Sequence, residues 1–261
     1  QYGAVMVDEG HDFQPEWLKL VAQMVNPETD SLLVLYDDAQ NLYGQRAKRE
    51  FSFKSLGIKA RGRTTILKLN YRNTAQVLLL AYEFAREVMQ PTDGTDDDMP
   101  PLVAPSSAGR QGPVPELVKC SNFGGEVAHI IQRAQQLQDR GIPWNEMAIL
   151  YRSRWMGERI CRDLQNAGLP VDWINQGGNS RNFDPTTQSI KLMTMHASKG
   201  LEFPVVFIPG VGFLPNRHGE VADEARLLYV AMTRAIEVLE LSCDRKSKFV
   251  ERVEGALENV G

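Results

Sequence analysis

Cysteine is scarce in this sequence, and long apolar runs are missing from it. The 261 residues contain three cysteines, scattered and without metal-ligand spacing, which we interpret as small core residues of a protein in the reducing cytoplasm. No apolar run reaches the roughly 18 residues that suggest a transmembrane helix, so we expect no membrane partner. Basic residues are not in excess either. The formal net charge of −4 argues against a general polyanion binder, although a local nucleic-acid track remains compatible with it.

The first residues lack the features of a secretory signal and of a natural start. The segment from Gln1 to Val5 has neither the basic nor the apolar order of a signal peptide, and no initiator methionine precedes it. An apolar run follows at once. We therefore expect this sequence to be a fragment of a longer protein.

Short apolar runs alternate with amphipathic segments, and this alternation is typical of an α/β fold with a parallel sheet flanked by helices. The first two predicted strands are interpreted as buried. The predicted strands are Ala4–Val7, Leu32–Leu35, Thr65–Leu69, Glu116–Lys119, Met147–Tyr151, Ile190–Met195, Val205–Ile208 and Val238–Ser242. The predicted helices are Pro15–Val25, Thr74–Met89, Gly125–Asp139, Met156–Ala167 and Ala222–Ala235. Two segments rich in loop residues interrupt the pattern, a long flexible loop at 91–115 and a short one at 176–184.

Acidic and amide residues follow the first two strands, where ligands of open α/β sheets bind. After the first strand, Asp8 could hold Mg²⁺ through water and Glu9 could polarise an attacking water. After the second, Gln40 could donate to a phosphate oxygen. The alternative reading is structural: an acidic helix N-terminus in the first case and a polar turn in the second.

Two arginines stand in similar local settings. Arg72 lies where a strand gives way to a helix, and Arg234 closes a later helix. The planar, always charged guanidinium suits a transferring phosphoryl group. A single arginine in such a place is more often part of a surface ion pair, and the coincidence with the acidic motifs favours the functional reading.

A polar turn between two apolar runs supplies further candidates. The hydroxyls of Thr194 and Ser198 and the ammonium of Lys199 suit a nucleic-acid phosphate, and Glu202 could accept from a ribose hydroxyl. His196 has no partner spaced for a shared metal ion.

Taken together, these residues resemble the superfamily 1 DNA helicases of the UvrD/Rep/PcrA group. Val7–Asp12 resembles the Walker B motif, and Asp37–Gly44 is similar to the third motif, with Gln40 and Tyr43 at its Gln and Tyr positions. The fourth, fifth and sixth motifs match, respectively, Leu69–Thr74, Ile190–Phe207 and Glu224–Ala235.

The resemblance implies two RecA-like domains with ATP between them and single-stranded or partly duplex DNA across both. Residues 1–62 would be the C-terminal part of the first domain and residues 63–261 the second domain, called 2A. The implied cofactors are ATP and Mg²⁺, and the implied partner is the Walker A domain that precedes this part. In this reading Arg72 and Arg234 are arginine fingers, and Tyr43 and Glu202 bind nucleotide. The DNA-binding set comprises Tyr71, Thr194, His196, Ser198, Lys199, Arg46 and Arg49.

The sequence departs from the family in several places. It has no Gly-Lys-Ser or Gly-Lys-Thr loop, so we predict that this chain alone neither hydrolyses ATP nor unwinds DNA. Only the short loop at 176–184 stands where the family inserts a further domain, 2B. His11 replaces a Gln of the family, and Gln45 replaces an aromatic residue that stacks on a base. Loss of one aromatic side chain that stacks on a base removes about 1–3 kcal/mol of binding free energy per base.

DNA contacts would then depend on charge, because basic residues crowd the stretch from Gly44 to Arg63. A solvated basic loop is the alternative. For the whole chain the leading prediction is an ATP-driven 3′-to-5′ helicase or translocase. The competing predictions are a nucleic-acid-binding or regulatory module on a degenerate helicase fold, and a metal-dependent phosphatase or nuclease.

Overall fold

The computed structural model describes residues 1–36, 53–60, 62–65, 69–86, 106–174, 183–217 and 219–260. These residues form two compact units. Unit 1 lies within Gln1–Lys68, and unit 2 consists of Leu69–Val88 and Pro105–Gly261. In the described part of the chain, no helix is both long and apolar enough to cross a bilayer.

Unit 1 contains a parallel pair of strands, β1 (Val5–Val7) and β2 (Leu32–Val34), joined through helix α1 (Pro15–Gln23). Proline at the first helical position suits the start of α1, because the first amides of a helix have no intrahelical partner. Leu18 of α1 and Leu56 pack with the β1 and β2 side chains on one face of the pair.

The opposite face of this pair is exposed, so the prediction that both strands are buried was wrong. Met6 and Leu33, which point away from α1, are 75% and 46% exposed. Successive side chains of a strand face opposite sides, and among the described residues only one side is covered.

Unit 2 opens with a short parallel pair, β3 (Leu69–Asn70) and β4 (Ser106–Ser107). Its main sheet has six parallel strands in the order β5-β10-β9-β6-β8-β7. They are β5 (Glu116–Lys119), β6 (Met147–Tyr151), β7 (Val171–Trp173), β8 (Ile190–Thr194), β9 (Phe203–Ile208) and β10 (Ala235–Cys243). The central strand β6 is apolar and buried throughout, and β8 is buried at all but its last residue, because helices cover both faces.

In the described part of unit 2, five helices flank the main sheet: α2 (Ala75–Ala85), α3 (Phe123–Asp139), α4 (Arg154–Asn166), α5 (Val221–Met232) and α6 (Lys248–Leu257). The helices α3 and α4 pack on one face, in a core that includes Ile130, Ile160 and Phe207. The helix α2 packs against α5, α6 and β10, and α5 and α6 also contact strands of the main sheet. Phe84 of α2 meets Phe249 of α6 edge to face. The predicted α/β class with a parallel sheet flanked by helices is confirmed.

Several elements differ from their predictions. The strands β4 and β7 and the helix α6 were not predicted, and β4 lies within the stretch 91–115 that was interpreted as a loop. Two serines carry no apolar signal, so pairing with β3 makes β4 a strand. The three cysteines are free thiols, and Cys243 is buried in β10.

Candidate nucleotide and nucleic-acid site

The turn after β1 carries the first acidic candidates. Asp8 accepts a hydrogen bond from the backbone amide of Glu9, which adopts a left-handed conformation with φ of 52°. A 3-10 turn, Gly10–Asp12, follows and approaches β2 closely. A β-carbon on Gly10 would lie 2.7 Å from a methyl of Val34, so glycine is required there.

His11 faces the neighbouring carboxylates. Its Nε2 is 3.0 Å from Oε2 of Glu9 and 3.9 Å from Oδ1 of Asp12, and its side chain is almost fully buried. Ligand atoms of these three residues lie within 4.8 Å of one another. Mg²⁺ prefers a shell of oxygen ligands, so the imidazole does not suit it, and the carboxylate of Asp8 is the better fit.

Gln40, Tyr43, Arg46 and Arg49 all lie outside the described residues. Their predicted roles in nucleotide and DNA binding therefore stay predictions.

Two basic residues of the stretch from Gly44 to Arg63 form ion pairs with an acid of their own unit. The Nζ of Lys59 is 2.7 Å from Oδ2 of Asp30, and the guanidinium of Arg63 is 3.6 Å from the same oxygen. The hydrogen bond from Lys59 lowers the pKa of Asp30. These contacts are exposed ion pairs, which exchange easily with other anions.

Arg72 lies in the loop between β3 and α2. Its backbone amide donates to Oδ1 of Asn70, which fixes the turn. Its Nε is 2.5 Å from Oε2 of Glu202, and both side chains are about half exposed (54% and 44%). The structure thus brings together a predicted arginine finger and the predicted ribose ligand. Tyr71, beside them in sequence, is exposed at 74%.

A cavity of about 350 Å³ adjoins this ion pair. Its lining includes Arg72, Glu202, Phe183 and Asn145. The Nδ2 of Asn145 donates to the carbonyl of Pro185, while its buried Oδ1 has no hydrogen-bond partner in the described part of the chain. A buried acceptor without a partner is a suitable site for a water or for a donor of a ligand.

Arg234, at the end of α5, is held very differently. It is 3% exposed. Its Nε donates to the carbonyl of Val230 at 3.0 Å and one terminal nitrogen donates to the carbonyl of Leu201 at 3.2 Å. The other terminal nitrogen lies 3.3 Å from the hydroxyl of Thr233. Leu201 precedes Glu202, so the two predicted fingers contact adjacent residues of one segment.

The turn that follows β8 holds the predicted phosphate ligands. The hydroxyl of Thr194 accepts from the amide of Ala197 at 3.1 Å. Ser198 is fully buried and its hydroxyl donates to the carbonyl of Met195, so this hydroxyl shapes the turn from inside. Lys199 is partly exposed. Of these side chains, Lys199 and Thr194 are the ones placed to reach a ligand.

His196 lies in the same turn beside an ion pair that the sequence did not reveal. Arg152 donates to both carboxylate oxygens of Glu224, at 2.6 to 3.1 Å, and Glu224 is 5% exposed. Burial lowers the pKa of His196, and the positive charge of Arg152 lowers it further. A neutral imidazole at this turn suits stacking and hydrogen bonding better than charge pairing.

Sequence reasoning missed Asn145, the Arg152–Glu224 pair and Asn73. Each acts through a contact with a residue far along the chain, for which the local pattern gives no signal. The available hint for Asn73 was its place directly after Arg72 in a run of polar residues ending a strand.

Comparison with known proteins agrees with this fold. The model of the UvrD-like helicase C-terminal domain matches residues 65–179 and 177–246. A probable DNA helicase of Mycoplasma pneumoniae is 27% identical over 246 residues, covering 90% of this chain and 42% of the relative. The ATP-dependent DNA helicase Rep of Escherichia coli is 37% identical over 89 residues, which is 31% of this chain and 13% of Rep.

The solved C-terminal domain of a possible DNA helicase from Lactobacillus plantarum has the same fold as this chain. The two superimpose with a TM-score of 0.50 at 23% identity, covering 72% of this chain and 96% of that domain.

The family match therefore identifies the parallel α/β unit as a helicase C-terminal domain. The chain belongs to the UvrD-like helicase C-terminal domain family and resembles the Rep, PcrA and UvrD-like helicases. It spans less than half the length of the curated relatives reported above.

Proposed function

We propose that this chain is the C-terminal motor portion of an ATP-driven DNA helicase or translocase that moves 3′ to 5′ on single-stranded DNA. The observation that carries the proposal is the convergence of Arg72 and Arg234 on the Leu201–Glu202 segment, in a domain of this family. The direction of movement rests on the resemblance to the UvrD/Rep/PcrA group.

The chemistry assigned to these residues is phosphoryl transfer from ATP to water. Glu9 polarises the attacking water, and the guanidinium groups of Arg72 and Arg234 stabilise charge on the transferring phosphoryl group. Asp8 would hold Mg²⁺ through water, and the ion supplies further charge neutralisation at the phosphate oxygens. Glu202 accepts from a ribose hydroxyl.

The Arg72–Glu202 ion pair is suited to exchange when nucleotide binds. Both side chains are about half exposed, and such a pair is worth about 0–1 kcal/mol. A ribose hydroxyl on Glu202 and a phosphate oxygen near Arg72 replace that weak contact at little cost. ATP binding therefore releases Arg72 toward the phosphates.

DNA binding is assigned to the turn after β8 and to basic residues of the other unit. Lys199, Thr194 and neutral His196 contact the strand, together with Tyr71, Arg46 and Arg49 of the predicted set. The buried hydroxyl of Ser198 shapes the turn and does not reach the DNA. Because phosphate contacts release counterions, binding weakens as salt rises. Salt-insensitive binding would contradict this assignment.

The test is the ATPase activity of the full-length protein, measured with and without single-stranded DNA, beside Arg234→Ala. We expect strong stimulation by DNA and its loss in the variant. Arg140→Ala, at an exposed helix end, is the matched control and keeps wild-type turnover. A full-length protein that binds DNA without any ATPase activity would instead favour a nucleic-acid-binding module on a helicase fold.

The isolated chain is expected to show no turnover, since it has no phosphate-binding loop of the Gly-Lys-Ser/Thr type. Turnover by the purified chain that Arg234→Ala abolishes would overturn this expectation.

A further inference from the structure

Asn73 bridges the two loops that carry the predicted arginine fingers. It follows Arg72 directly and is 2% exposed. Its Nδ2 donates to the carbonyl of Thr233 at 2.9 Å and to the carbonyl of Ala235 at 2.6 Å. These two carbonyls flank Arg234 on either side. One amide group therefore spans the backbone of the second finger.

The backbone carbonyls at the start of β10 need hydrogen-bond donors from outside the main sheet. The pairing of β10 with β9 is regular from Val238 onward but shifts register between Ala235 and Val238. Within that break, the amide of Thr74 donates to the carbonyl of Ile236 at 3.0 Å. A buried carbonyl without a hydrogen-bond donor is costly. The side chain of Asn73 and the amide of Thr74 supply donors to these carbonyls where the β9–β10 pairing is interrupted.

The same asparagine is tied to the first finger. Its Oδ1 accepts from Nδ2 of Asn70 at 2.8 Å. The Oδ1 of Asn70 in turn accepts from the backbone amides of Arg72 and Asn73, at 2.8 and 3.0 Å. A continuous chain of hydrogen bonds thus runs from the backbone of Arg72 to both sides of Arg234.

We propose that Asn73 is a positioning residue for ATP hydrolysis, which fixes the backbone of Arg234 relative to Arg72. The inference rests on the proposed function, because it gives Asn73 no role apart from the two arginines. An amide is suited to the position since it offers both an acceptor to Asn70 and a two-hydrogen donor to the carbonyls. Aspartate has the same shape but would set its oxygens against them.

The experiment measures kcat and KM of the full-length protein at saturating single-stranded DNA for Asn73→Ala. We expect kcat to fall about 10²-fold, the scale of a small misplacement of a catalytic group, while the KM for ATP stays close to wild type. In an Arg234→Ala background, Asn73→Ala should cause no further loss of kcat, because the residue acts through the missing side chain.

A matched control separates positioning from general stability. Asn122 also bonds the backbone through its side chain, accepting from the amide of Gly125 at the start of α3. Asn122→Ala should destabilise the domain and leave kcat unchanged. If Asn73→Ala does not fold, Asn73→Ser retains one donor and should give a kcat between wild type and Arg234→Ala.

The outcomes distinguish the inference from the function it rests on. Wild-type kcat in Asn73→Ala, or an equal loss in both backgrounds, would overturn the positioning role while the ATPase stands. A full-length protein without DNA-stimulated ATPase activity would overturn the proposed function and the positioning role together.

Discussion

Arg72 and Arg234 have the same chemistry and the same predicted role, yet the structure holds them in opposite ways. Arg72 is 54% exposed and meets one carboxylate, that of Glu202. Arg234 is 3% exposed, and its guanidinium donates to backbone carbonyls of two separate segments. The first is a replaceable surface contact, and the second is part of the packing of α5 against β9.

In the proposed function both arginines act on a phosphate, and their different settings imply different contributions. An exposed pair is worth about 0–1 kcal/mol, so Arg72 exchanges partners easily. A buried guanidinium bonded to carbonyls is preorganised, so it reorganises little during reaction. We infer that Arg72 responds to nucleotide binding and that Arg234 provides a fixed electrostatic contribution.

We expect the largest effect from Arg72→Ala, which tests whether the exposed arginine acts in catalysis as the buried one does. In the full-length protein, Arg72→Ala should lower DNA-stimulated kcat about 10³-fold or more, the scale of an arginine finger. Steady-state ATPase assays at saturating ATP and DNA give the value. Unchanged turnover would leave Arg234 as the sole finger and break the comparison.

A third arginine extends the comparison to stability. Arg152→Ala should lower the free energy of unfolding by about 3–5 kcal/mol, because it removes the positive charge beside the buried carboxylate of Glu224 and leaves it the amide of Asn216 as a hydrogen-bond donor. Urea unfolding of the 261-residue chain measures the change. Arg152→Ala paired with Glu224→Gln should recover part of the loss, and no recovery would contradict the explanation.

The two fingers should differ in stability in the same assay. Arg234→Ala removes a donor from the buried carbonyl of Val230 and from the partly buried carbonyl of Leu201, and should cost about 1–3 kcal/mol. Arg72→Ala removes an exposed ion pair and should stay within about 0.5 kcal/mol of wild type. Equal losses in the free energy of unfolding for Arg234→Ala and Arg72→Ala would contradict the expectation that the buried arginine stabilises the fold more than the exposed one.

The smallest expected effect is a pH dependence at the turn after β8. The pKa of His196 is lowered in the folded chain, so the unfolded chain binds more protons as pH falls below the ordinary histidine range. The stability contributed by neutral His196 is present above its unfolded pKa and is lost as pH falls through the folded one. Urea midpoints at about pH 7.5 and 5.5 should differ less in His196→Gln than in wild type. The same shift of the urea midpoint in His196→Gln and in wild type would contradict a contribution of His196 to the pH dependence.

Much of the α/β fold was predictable from local pattern. The strands β5 and β6 have the predicted bounds. The strand β6 is fully buried and apolar throughout, as expected of a central parallel strand, whereas β5 is an edge strand with exposed residues at both ends. The strand β7, with three half-buried residues, gives no comparable signal. Helix α6 was missed although Ser247 caps it and its apolar face is periodic.

The site was predictable in its residue types and not in their contacts. The motifs identified Arg72, Glu202 and Arg234, and the structure brings the first two within 2.5 Å. The burial of the Arg234 guanidinium depends on a carbonyl 33 residues away, and the bond from Asn73 to Thr233 spans 160 residues. Contacts of that separation depend on the tertiary fold, which no local pattern encodes.

The most direct test of the account is the affinity of the full-length protein for a transition-state analogue, ADP with aluminium fluoride and Mg²⁺ on single-stranded DNA. The groups that act on the transferring phosphoryl bind the analogue far better than the product. Arg234→Ala should weaken the analogue about 10³-fold while changing ADP affinity little. Equal weakening of both ligands, or none, would contradict the claim that this arginine stabilises the transferring phosphoryl group.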